Sequence, residues 1–347
     1  MGIMDSKRIR LPAEWEEQDG VLLAWPHIQS DWSPYLDTVE PVFEEIATQI
    51  SRQEFVIVVA PDPETVIFKL HKSGAVMERI RVYSLDTNDT WARDFGPITI
   101  LEDDKPLLLD FGFNGWGLKF PSDLDNLVTR NLHKAGAFSS TPLSTRGMIL
   151  EGGSIESDGD GAILTTCECL LQGNRNPHLS RKEIETSLAD QFGADHFLWL
   201  QHGFLAGDDT DSHIDTLARL CPNDVILHVM CDDSDDQHYE EFARMTEELR
   251  SFRTKKGAPY NLVPLPWPEA IFDENGTRLP ATYANFLIIN NAVLVPTYRD
   301  KADTVALETV QKVFPQHNVI GIDCLPLILQ HGSLHCVTMQ IPKGVFV

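Results

Sequence analysis

Apolar and polar positions recur along this chain in one order: two short extended runs, an amphipathic helix, a third extended run. "DVILHVM" (224–230) is apolar and β-branched, which predicts a strand. Over 236–252, Tyr239, Phe242, Met245, Leu249 and Phe252 fall three and four apart, the stripe of a helix packed on one side. "NLVPLP" then reads as a strand. The order returns downstream. "FLIIN" and "AVLVPTY" flank a hairpin turn at Asn290-Asn291, followed by a helix near 301–314 and the strand "NVIGID". It also appears upstream. "ILEGGSIES", the turn "DGDG" and "AILTT" form a hairpin, before a helix near 180–191 and "HFLWL". "ITILEDDKPLLLDFGF" with a helix near 122–136 makes a further copy. Near the start, "VLLAWP" precedes a helix at about 35–50, with stripe Val39, Val42, Phe43, Ile46 and Ile50, and then "FVIVVA".

That first copy lacks a leading strand, and the final apolar run, starting at Cys336, lacks a partner. The economical solution lets the C-terminal strand complete the N-terminal unit. The prediction is an α/β ring of about five strand–strand–helix–strand units, roughly 60–70 residues each. Closure removes sheet edges that would otherwise recruit other strands. An open α/β sheet is the alternative. With no low-complexity stretch and no long linker, one domain covers residues 1–347.

Composition narrows the partners. A chain of 347 residues with 42% hydrophobic content can bury a large core. A net charge of −24 argues against nucleic acid, whose phosphates require basic patches, and suits a cationic ligand. The six cysteines, at 167, 169, 221, 231, 324 and 336, form no CxxC pair, which fits a reducing cytoplasm. "MGIMDSKRIRLPAEW" lacks the apolar stretch of a secretory signal, though Gly2 and Ser6 match the loose N-myristoylation pattern. No apolar run approaches the ~18 residues of a membrane span.

In a closed ring the loops at one end of the strands converge. Polar residues at unit junctions are therefore candidates for chemistry. "NDTWARDFGP" (88–97) holds Asp94, and "LEGGSIE" holds Glu151 before two glycines that permit close approach. "GDDTDSHID" (207–215) holds His213 and Asp215, whose spacing of two would place them on one face of a strand. Cys336 opens the last strand. Each has an ordinary reading alone: a turn aspartate, a hairpin glutamate, a structural histidine, a core cysteine. Together they supply one thiol, one imidazole and three carboxylates from different loops.

The stretches "TWARDFGP", "FNGWG", "LEGGSIESDG", "ILTTCECLLQGNRNP", "TDSHID" and "GSLHCVTMQIP" resemble the agmatine deiminases, within the wider family that includes the bacterial-type peptidylarginine deiminases. The likeness runs from about residue 8 to 342. It implies the pentein fold, a five-bladed α/β propeller of pseudo-fivefold ββαβ units. It also implies roles. Asp94 and Asp215 would pair with a planar guanidinium, and Cys336 would attack its carbon as a thiolate. His213 would protonate the departing nitrogen and then activate water, with Glu151 orienting it. Asp209 would sit near the substrate tail, with Trp91 and Trp116 as pocket walls. Arg93 and His335 would be structural. No metal or organic cofactor is required.

The implied reaction converts agmatine to N-carbamoylputrescine and ammonia, toward polyamines, in a possible homodimer. The sequence departs from the agmatine pattern at Gln330–Leu334, where a glycine run and an asparagine are usual, and at Ser212 and Thr216. Peptidyl arginine is accordingly the alternative substrate. The other readings are amidino transfer to a second amine, a non-catalytic acidic binding protein, and a zinc site built from His331, His335, Cys336 and the acids of 208–215. Cys167 and Cys169 receive no role.

Overall fold

The computed structural model describes residues 8–346, so the Gly2/Ser6 pattern lies outside the described residues. The strands form five separate sheets that repeat one plan. In each, the first strand runs antiparallel to the second, and the second runs parallel to a third reached through a helix. One sheet pairs Ile98–Glu102, Lys105–Gly112 and Leu143–Ile149. The next pairs Ile155–Ser157, Ala162–Thr166 and His196–Leu200. Then come Ala218–Cys221, Val225–Val229 and Asn261–Leu265, and Leu287–Ile289, Ala292–Thr297 and Asn318–Asp323. In the remaining sheet the leading strand comes from the far end of the chain. Thr338–Pro342 lies antiparallel to Gln18–Ala24, with Thr338 opposite Leu23, and Gln18–Ala24 is parallel to Phe55–Ala60.

The middle strand of each sheet has neighbours on both edges and is covered on its faces. That is why these strands read as continuous apolar runs: Val21–Ala24 and Ala292–Val295 are fully buried. Turn chemistry fixes the hairpins. Asp103 and Asp104 both have positive φ (50° and 61°), the backbone of a tight two-residue turn between paired strands. The crossover helices carry most of the predicted stripes; in Tyr239–Ser251, Phe242, Met245 and Leu249 are buried, while Tyr239 is exposed and Phe252 lies past the helix end. Leu36–Ser51 buries Val39, Val42, Phe43, Ile46 and Ile50. Arg181–Phe192 starts with a reciprocal Ser180–Glu183 capping box and stops at Gly193 (φ 66°). Among the described residues no helix is long and apolar enough to cross a membrane.

Several expectations need correction. Helix Pro63–Ser73 leads to a further strand, Ile80–Ser84, parallel to Phe55–Ala60, and its pattern is blurred by Ile67 and Phe68, which face solvent. The helix near 122–136 is a 3₁₀ turn, Asp125–Leu127, followed by Val128–Lys134. Within "ILEGGSIES" the strand starts only at Ile155, because Gly152–Ser154 forms a 3₁₀ turn. His213 and Asp215 do not share a strand face: His213 precedes the 3₁₀ turn Ile214–Thr216. Cys336 lies two residues ahead of its strand, in a turn whose Thr338 N–H reaches the His335 carbonyl (3.0 Å).

Candidate active site

One rule of position unites the candidates. Asp94, Glu151 and Asp215 each lie just ahead of the first strand of a unit, in three different sheets, and Cys336 does so ahead of Thr338–Pro342. The fifth unit follows the rule with Asn285, just before Leu287–Ile289. Sequence reasoning passed over Asn285. The signal was present: if every unit offers a polar residue there, "YANFLIIN" offers an asparagine. Its Oδ1 accepts from the N–H of His335 (2.9 Å) and of Cys336 (3.3 Å) and lies 3.4 Å from Cys336 Sγ.

Around Cys336 the side chains are buried and mostly acidic. Its Sγ lies 4.0 Å from Asp215 Oδ2. His213 stands between two carboxylates, Nδ1 3.6 Å from Asp94 Oδ1 and Nε2 3.7 Å from Glu151 Oε2. Asp94 is fixed from two sides, accepting from Trp116 Nε1 (2.9 Å) and the Gly153 N–H (3.0 Å). Gly153 matters for space. A Cβ there would stand 2.7 Å from His213 Nδ1, 2.9 Å from Asp94 Oδ1 and 3.1 Å from Asp215 Oδ2. Glu151 receives Arg175 Nε on both oxygens at 3.0 Å, and Arg175 in turn pairs with Asp211.

A second layer lies beneath. Asp215 Oδ2 meets His335 Nδ1 at 2.7 Å, and His335 Nε2 meets Glu14 Oε2 at 2.8 Å. Arg219, fully buried, donates to Glu14 (2.7 Å) and Glu156 (2.6 Å). Asp215 Oδ1 is buried without a partner and remains available. The expectation that His335 is structural is thus refined: it holds Asp215 directly. Arg93 packs below, its Nε directed at the His335 carbonyl (3.4 Å). Arg219 and Glu156 were legible as charges set inside apolar strands, "LARLC" and "GSIES".

Charge follows from burial and contact. Burial raises the Cys336 thiol well above its usual range, and the Asp215 and Asp94 carboxylates add to this. Burial also raises Asp94, to about 6, against the pull of His213. For His213, burial opposes the charged form, but Asp94, then Cys169 and Glu151, prevail and raise it well above the ordinary imidazole value. For Asp215, burial would raise the carboxyl, yet the His335 hydrogen bond brings it below. With no cation bound, the site therefore pairs a neutral thiol with an imidazolium.

From Cys336 a cavity of about 710 Å³, including its open mouth, leads outward. Trp91 and Trp116 form walls, as expected, and Asp209, Asp89 and Asp31 line it. No lysine or arginine of the described residues does. Burial, then Asp208, raises Asp209 to about 6. Of the departures from the agmatine pattern, His331 and Thr216 line the cavity and Ser212 does not. His331 takes positive φ (68°) and donates through Nδ1 to the Gly207 carbonyl (2.8 Å).

The zinc ligand set considered from the sequence is not brought together. His331 is engaged by Gly207, and His335 by Asp215 and Glu14. The potential metal ligands that do cluster, among the described residues, are Glu151–Cys169–His213 and Glu14–Glu156–His335.

A five-sheet α/β chain with a buried thiol, an imidazole and converging carboxylates is a pentein of the guanidino-modifying type. The sequence profile of the Porphyromonas-type peptidyl-arginine deiminases matches residues 10–342, and the chain belongs to that family. A crystal structure from Porphyromonas gingivalis, described as "Putative Arginine Deiminase", is 50% identical, covers 97% of this chain and 99% of its own, and superposes with TM-score 0.93. A cysteine-to-serine variant of C. jejuni agmatine deiminase, solved with substrate bound, is 40% identical over 99% of both chains, with TM-score 0.91. Dimethylarginine dimethylaminohydrolase, 10% identical with TM-score 0.51 over 93% of this chain and 100% of its own, shares the fold alone.

Proposed function

We propose that this chain hydrolyses agmatine to N-carbamoylputrescine and ammonia through a thioether on Cys336. The observation that carries the reading is the convergence just described. A thiol, an imidazole and the Asp94 carboxylate line one acidic cavity that no lysine or arginine of the described residues lines, and Asp215 stands 4.0 Å from the thiol.

The guanidinium pairs with Asp94 and with the unpartnered Asp215 Oδ1. Its positive charge offsets the carboxylates that keep Cys336 neutral, so the thiol loses its proton to solvent. The thiolate attacks the central carbon. One C–N bond breaks as His213 delivers its proton to the departing nitrogen, which leaves as ammonia. Now neutral, His213 takes a proton from water, whose oxygen adds to the carbon. The C–S bond breaks, giving the ureido product and regenerating the thiolate. Glu151, anchored by Arg175, orients His213. Trp116 fixes Asp94 and walls the cavity with Trp91. No metal or organic cofactor enters these steps.

The tail chooses the substrate. Asp209, helped by Asp89 and Asp31, suits a second cation, whereas the carboxylate of free arginine would find no lysine or arginine among the described lining residues. The 40% identity to an agmatine deiminase supports the same choice. Peptidyl arginine is the second reading, favoured by the family's description and by His331 and Thr216 in the cavity wall. On this reading the five sheets are blades of a pseudo-fivefold propeller closed by the C-terminal strand, in one domain spanning 1–347. Six free cysteines support a reducing cytoplasm, and we expect a homodimer feeding putrescine synthesis.

Release of ammonia and ureido product from agmatine, free arginine and an arginine-containing peptide is the test, with Cys336→Ser beside it. Turnover of agmatine alone, lost in the variant, is expected. Preference for the peptide would retain the chemistry and replace the substrate. No turnover of any of the three by folded protein would overturn the reading.

A further inference from the structure

We propose that Glu151, Cys169 and His213 form a site for a thiophilic divalent cation, with zinc as the natural candidate, and that filling it disables His213. These donors lie on one side of the imidazole, away from Asp94. His213 Nε2 is 3.7 Å from Glu151 Oε2, Cys169 Sγ is 3.8 Å from the same oxygen, and all three donor atoms lie within 4.8 Å of one another. Tetrahedral zinc with ordinary bond lengths of about 2.0–2.3 Å separates such donors by about 3.3–3.6 Å. The two distances to Glu151 exceed this by a few tenths of an ångström, and the whole set has to close from within 4.8 Å to about 3.6 Å on an ion.

Two further observations point to a ligand. His213 is nine-tenths buried and more, yet Nε2 has no hydrogen-bond partner and faces this cluster. The surrounding groups also complete an outer shell. A metal-bound histidine ordinarily donates its other N–H to a carboxylate, and His213 Nδ1 already faces Asp94 Oδ1 at 3.6 Å. A ligating carboxylate is ordinarily hydrogen-bonded in turn, and Arg175 Nε holds both Glu151 oxygens, its own charge balanced by Asp211. Coordination displaces two protons to solvent, that of the Cys169 thiol and that on Nε2 of the imidazolium, and takes the freed Nε2 lone pair. His213 then keeps only its Nδ1 proton and can no longer cycle between imidazolium and imidazole. Cys336 is not a ligand. The loss of turnover rests on the role proposed for His213, whereas binding of the ion does not.

The test separates the two. Co²⁺ is titrated into Cys336→Ser protein, in which the nucleophilic thiol is gone. One equivalent is expected to give a thiolate-to-cobalt absorption band that Zn²⁺ removes. The band is expected to vanish in the Cys336→Ser/Cys169→Ser protein. Zinc-edge anomalous diffraction from Cys336→Ser crystals locates the ion without a second substitution, and it should lie between Cys169, His213 and Glu151. In wild-type protein, Zn²⁺ should abolish ammonia release and a chelator should restore it. No band in Cys336→Ser, a band that survives loss of Cys169, or anomalous density elsewhere overturns the site. A band without turnover of any guanidino substrate in metal-free protein would keep the site and sink the deiminase reading.

Discussion

Gly153→Ala is the smallest change that should disrupt the site. The new methyl would sit 2.7 Å from His213 Nδ1 and 2.9 Å from Asp94 Oδ1, where ordinary contact starts at 3.4 Å. Both neighbours must therefore retreat by several tenths of an ångström. Neither has room to do so freely. Asp94 is tied to Trp116 and to the Gly153 N–H itself, and His213 is boxed in by Glu151 on its other edge. A misplacement near 1 Å costs about 10²-fold in rate, so ammonia release should fall between about tenfold and a hundredfold. Overpacking of this kind destabilises by about 1–3 kcal/mol, a modest drop in Tm. The assay is kcat and KM for ammonia release beside a thermal melt, with Gly147→Ala as control. Gly147 has nothing within 4 Å of an added Cβ, so both readouts should stay at wild-type values. A Gly153→Ala protein within twofold of wild type, with an unchanged melt, would show that His213 and Asp94 do not converge on that backbone.

Asn285→Ala removes the oxygen that receives the Cys336 N–H and shares that of His335. A buried donor left unpaired costs about 1–3 kcal/mol. The melt should drop and kcat should fall with it; an unchanged melt would mean the turn before Cys336 does not depend on this side chain. Burial raises Asp125 to about 8, so the folded chain holds a proton there that the unfolded chain releases near its usual carboxylate range. Stability from this group is complete below that range and is lost as pH rises toward 8. In Asp125→Asn the loss of Tm as pH rises from about 4 to about 8 should be shallower, though not absent, because Glu54 behaves alike. Equal slopes for the two proteins would refute the assignment.

Much of this was legible in the sequence. Helices with clean stripes, such as Leu36–Ser51 and Tyr239–Ser251, were predicted to within about three residues at either end, because burial of one face enforces the spacing. The pairing of Thr338–Pro342 with Gln18–Ala24 followed from counting strands without partners. Helix Pro63–Ser73 was missed because solvent-facing Ile67 and Phe68 obscure its pattern. Glycine displaced one reading: Gly152 and Gly153 turn the chain where a strand was expected. At the site, acids beside glycines or ahead of apolar runs were visible singly. Arg175 and the contacts that join Glu14, Arg219 and Glu156 into one layer were not, because contact across more than twenty residues of chain, and often hundreds, defines them.

The sheet that joins residues near 20 to residues near 340 also bears on how the protein comes to be. Cys336 stands two residues before the strand that completes that sheet. During synthesis, Asp94, Glu151, His213 and Asp215 emerge first, and their three loops can gather three carboxylates around one imidazole. The thiol arrives last, on the segment whose docking has the longest loop to close. Such long-range pairing is slow compared with the local hairpins. A nascent or C-terminally clipped chain would then hold most of its fold with no nucleophile. Chemistry on guanidino compounds would begin only when the strand that joins the two ends of the chain has locked into place.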